Sequence, residues 1–388
     1  MAKLNKKTTT DTKNVLVLQG GGALGAYQAG AFEVLAERNT KLDWVVGTSI
    51  GAINAAIIAG NLPEHRVAKL KGFWNTVATD GGTPLINLFG LQFGVRFVEW
   101  FKPWLNNARS LGTIMNGVSG FFSARDNGLW NIDKKVPTAE ASFYDTSALE
   151  ATLNQFVDFA YLNEAHVRLT VCAVNVASAE LECFDNSGSS PMTARHIMAS
   201  GALPPGFAPV EIDGEFYWDG GIYSNTPLDV VLDEQVNGQN KQNTLCFMID
   251  LWDPTETLPT SIGDAMTRLK NTQYASRSTE RLVDHRRQLD LRNVIKQLGE
   301  KLPLTARNNA EVRALLVQGE VGSVNVVRLV MKALPDDDQF KDIDFSQATI
   351  KTRWQAGAAD AERMFSHQTW LLPLAPGVGM AVHELEQT

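Results

Sequence analysis

The 388-residue chain is poor in cysteine, has no excess of positive charge and lacks any long apolar run, and each shortage excludes a class of protein. Three cysteines, Cys172, Cys183 and Cys246, make an odd count. Cys172 and Cys246 lie in apolar runs, VCA and LCF, where a buried free thiol is the ordinary expectation. A disulfide framework is therefore not expected, which fits a reducing, cytoplasmic setting. Acidic residues outnumber basic ones, 43 against 35, and a net charge of −8 argues against a protein that binds nucleic acid by neutralising its phosphates. The polar N-terminus lacks the apolar core of a secretory signal, so residues 1–13 are expected to form a disordered tail. No window approaches roughly eighteen uninterrupted apolar residues, so no spanning helix is expected, although peripheral contact with a membrane stays open. No His, Cys and Asp cluster has ligand spacing, and neither a metal nor another cofactor is expected.

What the chain does have is a 44% hydrophobic fraction, enough to bury a large core. The run NVLVLQ (14–19) reads as a buried strand that stops at a glycine loop, GGGALG (20–25), after which Tyr27, Ala31, Val34 and Leu35 recur at helical spacing. The pattern repeats: LDWVV (42–46) ends at GTSIG (47–51) and passes into a helix of small and apolar residues (52–59). Further buried strands are expected at 167–176 and 244–251, with a helix near 228–237 between them. Alternation of this kind implies a mostly parallel sheet with helices on both faces. After Pro254 a long polar helix (261–302), a strand (324–331) and a helix (346–367) behind a Ser346 cap are expected.

The segment 84–130 has a different composition. Nine of its residues are aromatic and only six are charged, so it reads either as a lid or substrate wall or as a packed helical subdomain. The candidate wall residues are Phe97, Trp100, Phe101 and Trp104.

Two loops carry chemistry. Gly47, Thr48, Ser49, Ile50 and Gly51 form a G-x-S-x-G motif between a strand and a helix, the setting in which a serine is held out on a sharp turn as a nucleophile. The loop containing Gly20, Gly21, Gly22 and Gly25 offers unshielded backbone N–H groups at a helix start, which suits a phosphate or a developing oxyanion. A dinucleotide fold would need an acid at the end of the second strand, but Asp43 opens that strand, and the Gly-Lys-Ser/Thr of a P-loop is absent. The six histidines offer Ser49 no obvious base: His65, His285 and His367 sit in charged helical stretches, His383 in the tail and His166 before a strand. Only His196 lies near a suggestive segment. That segment runs through ASGALPPGFAPV (199–210) to Asp219, which ends an apolar run and is followed by Gly220 and Gly221, and then to Asn225, Thr226 and Pro227.

With these motifs in this order the chain resembles the patatin-like phospholipases over about residues 14–253. The resemblance implies a three-layer α/β/α core with a mostly parallel central sheet, here carrying an aromatic-rich helical insertion and a C-terminal α+β extension. The domains expected are a catalytic domain at 14–255, with the insertion at about 83–145, and an extension at 256–388. It further implies a Ser–Asp dyad without histidine: Ser49 as nucleophile, Asp219 as base on the Gly220–Gly221 turn, and amides of the glycine loop, Gly21 and Gly22 at its centre, as oxyanion hole. An ester carbonyl would be attacked to give an acyl-enzyme that water releases, with a lipid or another apolar ester as substrate. Acyl transfer, thioester or short-polyester cleavage by the same dyad, and a silent interaction module on the same fold, are the competing readings. Many relatives carry Arg or Lys where this chain has Leu24, so a cation for lipid phosphate is missing there and apolar contact is expected to decide affinity.

Overall fold

The computed structural model describes residues 12–79, 117–125, 133–236, 242–255, 258–319, 321–334, 337 and 340–385. The four candidate wall residues, Phe97, Trp100, Phe101 and Trp104, lie outside these residues, as do most of the expected insertion and nearly all of the expected tail.

Among the described residues the strands are β1 (Lys13–Leu18), β2 (Trp44–Gly47), β3 (Ser123–Ala124), β4 (Tyr144–Asp145), β5 (Arg168–Asn175), β6 (Leu181–Asp185), β7 (Val210–Ile212), β8 (Glu215–Asp219), β9 (Thr244–Asp250), β10 (Val324–Val330) and β11 (Met380–Glu384). Nine of them form one sheet in the order β11-β10-β9-β1-β2-β5-β8-β7, with β6 beside β5 and β3–β4 apart as a small pair. The run from β11 to β5 is parallel throughout, whereas β6, β7 and β8 join antiparallel. The helices that matter for the site are α1 (Gly25–Glu37), α2 (Ile50–Ala59), α3 (Arg66–Thr76), α4 (Ser147–Phe156), α5 (Ala194–Ser200), α6 (Leu228–Val236), α7 (Ile262–Lys301) and α8 (Gln347–Ser366).

The expected layering is present, and β1 shows why. Its side chains alternate between two cores: Leu16 and Leu18 pack with α1, α2 and α3 on one face, while Val15 and Val17 pack with Leu228, Val231 and Leu232 of α6 and Leu282 and Leu289 of α7 on the other. A strand covered on both faces has no polar positions, which is why it reads as an unbroken apolar run. Every residue of α2 is buried, and its sequence, IGAINAAIIA, is apolar all round as such a position demands. Ile53, Ile57 and Ile58, each at most 1% exposed, contribute on the order of 1.5–3 kcal/mol apiece.

Residues after 256 do not stand apart from this core. β10 pairs in parallel with β9 over seven positions, from Val324 opposite Thr244 to Val330 opposite Asp250. α8 crosses α1 where Gly30 and Gly357 meet, and a Cβ on either would stand about 2 Å from a carbonyl oxygen of the facing helix (1.9 and 2.0 Å). The α7 start is a capping box, Ser261 Oγ accepting from Asp264 N and Asp264 Oδ2 accepting from Ser261 N, each at 3.0 Å.

The cysteines correct the sequence-based expectation. Cys172 and Cys183 are joined in a disulfide, while Cys246 is free and buried as expected. The two bonded residues face each other directly across the antiparallel β5–β6 ladder, with Cα atoms 4.1 Å apart. That register, invisible in the spacing of the cysteines, overrides their apolar surroundings, and the case for a reducing compartment loses its footing. No helix among the described residues is long and apolar enough to cross a membrane.

Candidate active site

β1 and β2 are adjacent and parallel, so the loops that follow them emerge side by side at the carboxyl edge of the sheet, where ligands bind in open α/β folds. The second loop turns hard into α2. Ser49 sits at φ 56° and ψ −125°, a conformation in which a side chain is strained. The turn closes because of its glycines: a Cβ on Gly47 would lie 2.4 Å from the Gly51 carbonyl oxygen, and one on Gly51 2.3 Å from that of Leu18. The strained residue is also clamped from outside. Ser49 N donates to both the carbonyl and the hydroxyl oxygen of Ser200 at 3.1 Å, and Ser200 Oγ donates to Cys172 O at 2.7 Å.

Strand register carries Asp219 to the serine. Gly47 pairs with Val171 and Asp219 with Ala173, so Ser49, two residues beyond Gly47, reaches the level of Asp219. Asp219 is 2% exposed, and its Oδ1 accepts from Gly221 N at 2.7 Å, with the Ser49 hydroxyl near enough to favour its charged form. Burial pushes its pKa up to about 7, and the Ser49 hydroxyl and the Gly221 amide only partly offset that. The tight turn of Gly220 and Gly221 around Asp219 has a concrete form: a Cβ on Gly220 would lie 2.3 Å from Cys172 O.

Each group of the glycine loop has its place. Gly20 N donates to Asn225 O at 3.1 Å, and Gly25 N to the carbonyls of Ala23 and Gly22. Those two amides are therefore spent, and of the four glycines expected to form an oxyanion hole only Gly21 and Gly22 keep amides that could serve it. Among the described residues neither of their N–H groups has a protein acceptor, and both residues line the cavity that contains Ser49. The loop is held from behind. Gly20 O accepts from Trp252 Nε1 (2.8 Å) and Asn225 Nδ2 (3.1 Å), and Ala23 N donates to Asp342 O at 2.8 Å. Buried Gln19 adds the β1–β9 link, its Oε1 accepting from Leu251 N and Trp252 N.

The cavity has a volume of about 290 Å³, at the lower end for a ligand pocket, and its walls are chiefly apolar. Phe121, Phe122, Tyr144, Phe207 and Phe345 form a ring cluster with centroids 5.0–6.2 Å apart. Phe121 and Phe122 belong to the aromatic segment singled out in the sequence. Tyr274, Asp342, Ile343 and Phe345 come from the C-terminal stretch, which no local signal places here, because only the packing of β10, α7 and α8 brings it round. Leu24 is a correction of another kind: it is fully buried and does not line the cavity, so its side chain is not where a substrate phosphate could meet a cation.

No histidine lines the cavity either. His196 closes a capping box with Thr193, and its ring packs on Phe184; His285 faces Asp229 at 3.0 Å; His383 bonds Thr369 and Asn325. Among the described residues there is no group of three or more His, Cys, Asp or Glu arranged to hold a metal ion.

Comparison with known proteins fits this geometry. Residues 16–232, more than half of the chain, match the model of patatin-like phospholipases, and the chain belongs to that family. Residues 272–377 match a second model, DUF3734, described as patatin phospholipase. Among curated relatives, a viral protein named probable lipid hydrolase 463L (Invertebrate iridescent virus 6) is 24% identical over 232 residues, covering 59% of this chain and 66% of the relative. The patatin-like phospholipase domain-containing protein 7 of Rattus norvegicus is 20% identical over 252 residues, 65% of this chain but 14% of the relative. The chain thus spans less than two thirds of the length of these relatives. Among solved structures, VipD from Legionella pneumophila matches with a TM-score of 0.35 at 14% identity over 89% of this chain and 67% of that one. The ExoU–SpcU complex of Pseudomonas aeruginosa matches at 0.28 and 15% over 92% and 76%. At such scores neither carries weight beyond the family match.

Proposed function

We propose that the protein is a serine acyl hydrolase that cleaves lipid or other apolar esters with Ser49 and Asp219. The observation that carries this reading is a buried carboxylate, with no cation beside it among the described residues, next to a serine that lines an apolar cavity. An ordinary carboxylate is a poor base at neutral pH, but one pushed up to about 7 is matched to the task. As Ser49 Oγ attacks the ester carbonyl, its proton passes to Asp219, and the charge developing on the carbonyl oxygen meets the Gly21 and Gly22 amides. A donor of that kind is typically worth about 3–4 kcal/mol to the transition state. The alcohol leaves with the proton from Asp219. Water, deprotonated by the same carboxylate, then releases the acyl group from Ser49. The acyl chain would lie against the rings of Phe121, Phe122, Phe207 and Phe345, where removal from water contributes up to ~0.8 kcal/mol per methylene.

The test is turnover of p-nitrophenyl octanoate by the parent protein, by Ser49→Ala and Asp219→Asn, and by His196→Asn, His285→Asn and His367→Asn singly. Loss in the first two alone is expected. Turnover surviving in Ser49→Ala, or a correctly folded histidine variant as inactive as Ser49→Ala, would sink the dyad.

A further inference from the structure

Asn225, from the segment that follows the Gly220–Gly221 turn, lines the ring-walled cavity together with Ser49 and Asp219. It is 8% exposed and tied twice to Gly20: its backbone carbonyl accepts from Gly20 N, and its Nδ2 donates to Gly20 O, both at 3.1 Å. The second bond fixes which way the side-chain amide points, because a carbonyl oxygen can accept only from the nitrogen end. Oδ1 is thereby turned away from Gly20 O, and among the described residues no donor reaches it.

Two glycines show where that oxygen stands. Oδ1 lies 2.4 Å from the point that a Cβ on Gly20 would occupy, and Ser49 Cβ lies 3.0 Å from the same point. It lies 2.8 Å from the corresponding point on Gly221, and Asp219 Oδ1 lies 3.0 Å from that one. Two acceptor oxygens therefore face a common space at the rim of the cavity, beside Ser49, that a side chain at position 221 would fill. They cannot bond each other, since an amide oxygen and an ionised carboxylate only accept. A small molecule with two O–H groups serves both at once. Water is such a molecule, whereas an alcohol has a single O–H to give.

We propose that Asn225 positions the water that releases the acyl group from Ser49, and that it thereby favours hydrolysis over transfer of the acyl group to an alcohol. This rests on the acyl-hydrolase reading above. The water donates one hydrogen to Asn225 Oδ1 and the other to Asp219. Its oxygen bonds to the acyl carbon as that second proton passes to Asp219, and the electron pair of the carbonyl moves onto the oxygen held by the Gly21 and Gly22 amides. As the tetrahedral centre collapses, the bond to Ser49 Oγ breaks and Oγ takes the proton back from Asp219, leaving a carboxylic acid and free serine. An alcohol can give its one proton to Asp219, but it then leaves Asn225 Oδ1 against hydrocarbon, a buried acceptor without a donor.

The experiment follows p-nitrophenyl octanoate in water with added methanol, octanoic acid and methyl octanoate being quantified separately. In Asn225→Ala the glycine loop keeps Trp252 Nε1 on Gly20 O and the backbone carbonyl of residue 225 on Gly20 N. Acylation, read as kcat/KM, should therefore stay within about 3-fold of the parent. Release to water should slow by about 10-fold or more, so that kcat and KM fall together and the ratio of methyl octanoate to octanoic acid rises by about 10-fold. Trp252→Phe loosens the same carbonyl without touching the acceptor; it should lower kcat/KM and leave the product ratio as in the parent. An unchanged ratio in Asn225→Ala, or an equal rise in Trp252→Phe, overturns the proposal and leaves the hydrolase reading standing. Failure of the parent to cleave the ester at all strikes the hydrolase reading itself. Should Asn225→Ala not fold, the parent still decides: mole for mole its octanoyl-enzyme should pass to water more readily than to methanol, and a preference for methanol overturns the proposal.

Discussion

Asp219 and Asp250 lie in one sheet with β1, β2 and β5 between their strands, each as the last residue of its strand, and both are buried, at 2% and 0% exposure. Their partners differ. Asp250 Oδ2 meets Arg328 through both Nε and Nη2 at 2.8 Å, Thr226 Oγ1 donates to its other oxygen at 3.2 Å, and Arg328 continues to Glu384. Asp219 has a serine hydroxyl and one amide. The same residue type at the same depth is thus a structural tie between β9 and β10 in one place and, on the proposed reading, a proton acceptor in the other. Burial pushes both carboxyl groups up, but at Asp250 the charge of Arg328 opposes the rise, whereas at Asp219 no cation does so among the described residues.

The contrast can be broken from either side. The largest effect is expected at the unpaired acid: Ser49→Ala or Asp219→Asn should each reduce kcat on p-nitrophenyl octanoate by about 10³-fold or more with the fold preserved, as judged by circular dichroism. At the paired acid, Arg328→Met leaves a buried carboxylate uncompensated and should cost about 3–5 kcal/mol in urea unfolding, while turnover per folded molecule stays within about 3-fold of the parent. Activity lost without stability lost would mean that Asp250 belongs to the chemistry.

A third prediction turns on sign. The folded pKa of Asp219, about 7, lies above the ordinary carboxylate value of about 3.9, so between those pH values the folded protein binds more protons than the unfolded chain. Stability from this residue is therefore fully present below pH 4 and is lost as pH rises toward and through 7. Asp219→Asn should accordingly stabilise the protein at pH 8 by up to about 4 kcal/mol and leave it nearly unchanged at pH 4. Asp250→Asn should destabilise at pH 8, since it strands Arg328. Equal effects of the two substitutions at pH 8 would erase the distinction. The smallest effect concerns the wall: kcat/KM should rise with acyl length by up to ~0.8 kcal/mol per methylene, and Phe345→Ala should flatten that rise. A parallel drop at all chain lengths would make Phe345 only a packing residue.

Much of this was legible in the chain because parallel strands and their glycine turns are local signals. NVLVLQ, GTSIG and DGG announce buried strands and the turns that end them, and the elbow residues Thr48 and Ile50 lie where that reading puts them, Thr48 buried against Gly220 and Ile50 in the cavity wall. What the sequence hid is what only tertiary packing decides. Cys172 and Cys183 meet through a register; Gly20 and Gly25 have their amides occupied by distant or neighbouring carbonyls; Leu24 points into the core. Asp342 and Phe345 reach the site because α8 docks on α1, and nothing in the DFS stretch around them signals that destination. Residue Ser200, whose hydroxyl ties the elbow to β5, was visible only as part of a small-residue run.

The central claim is that Ser49 is activated by an uncompensated, buried Asp219, and the most direct measurement is the rate at which a fluorophosphonate modifies the protein as a function of pH, with the labelled peptide identified by mass spectrometry. The account predicts a single adduct on Ser49, formed at a rate that rises to a plateau with a midpoint near pH 7, as Asp219 ionises, and that is abolished in Asp219→Asn. A rate independent of pH across that range, an adduct elsewhere, or undiminished labelling of Ser49 in Asp219→Asn would contradict it.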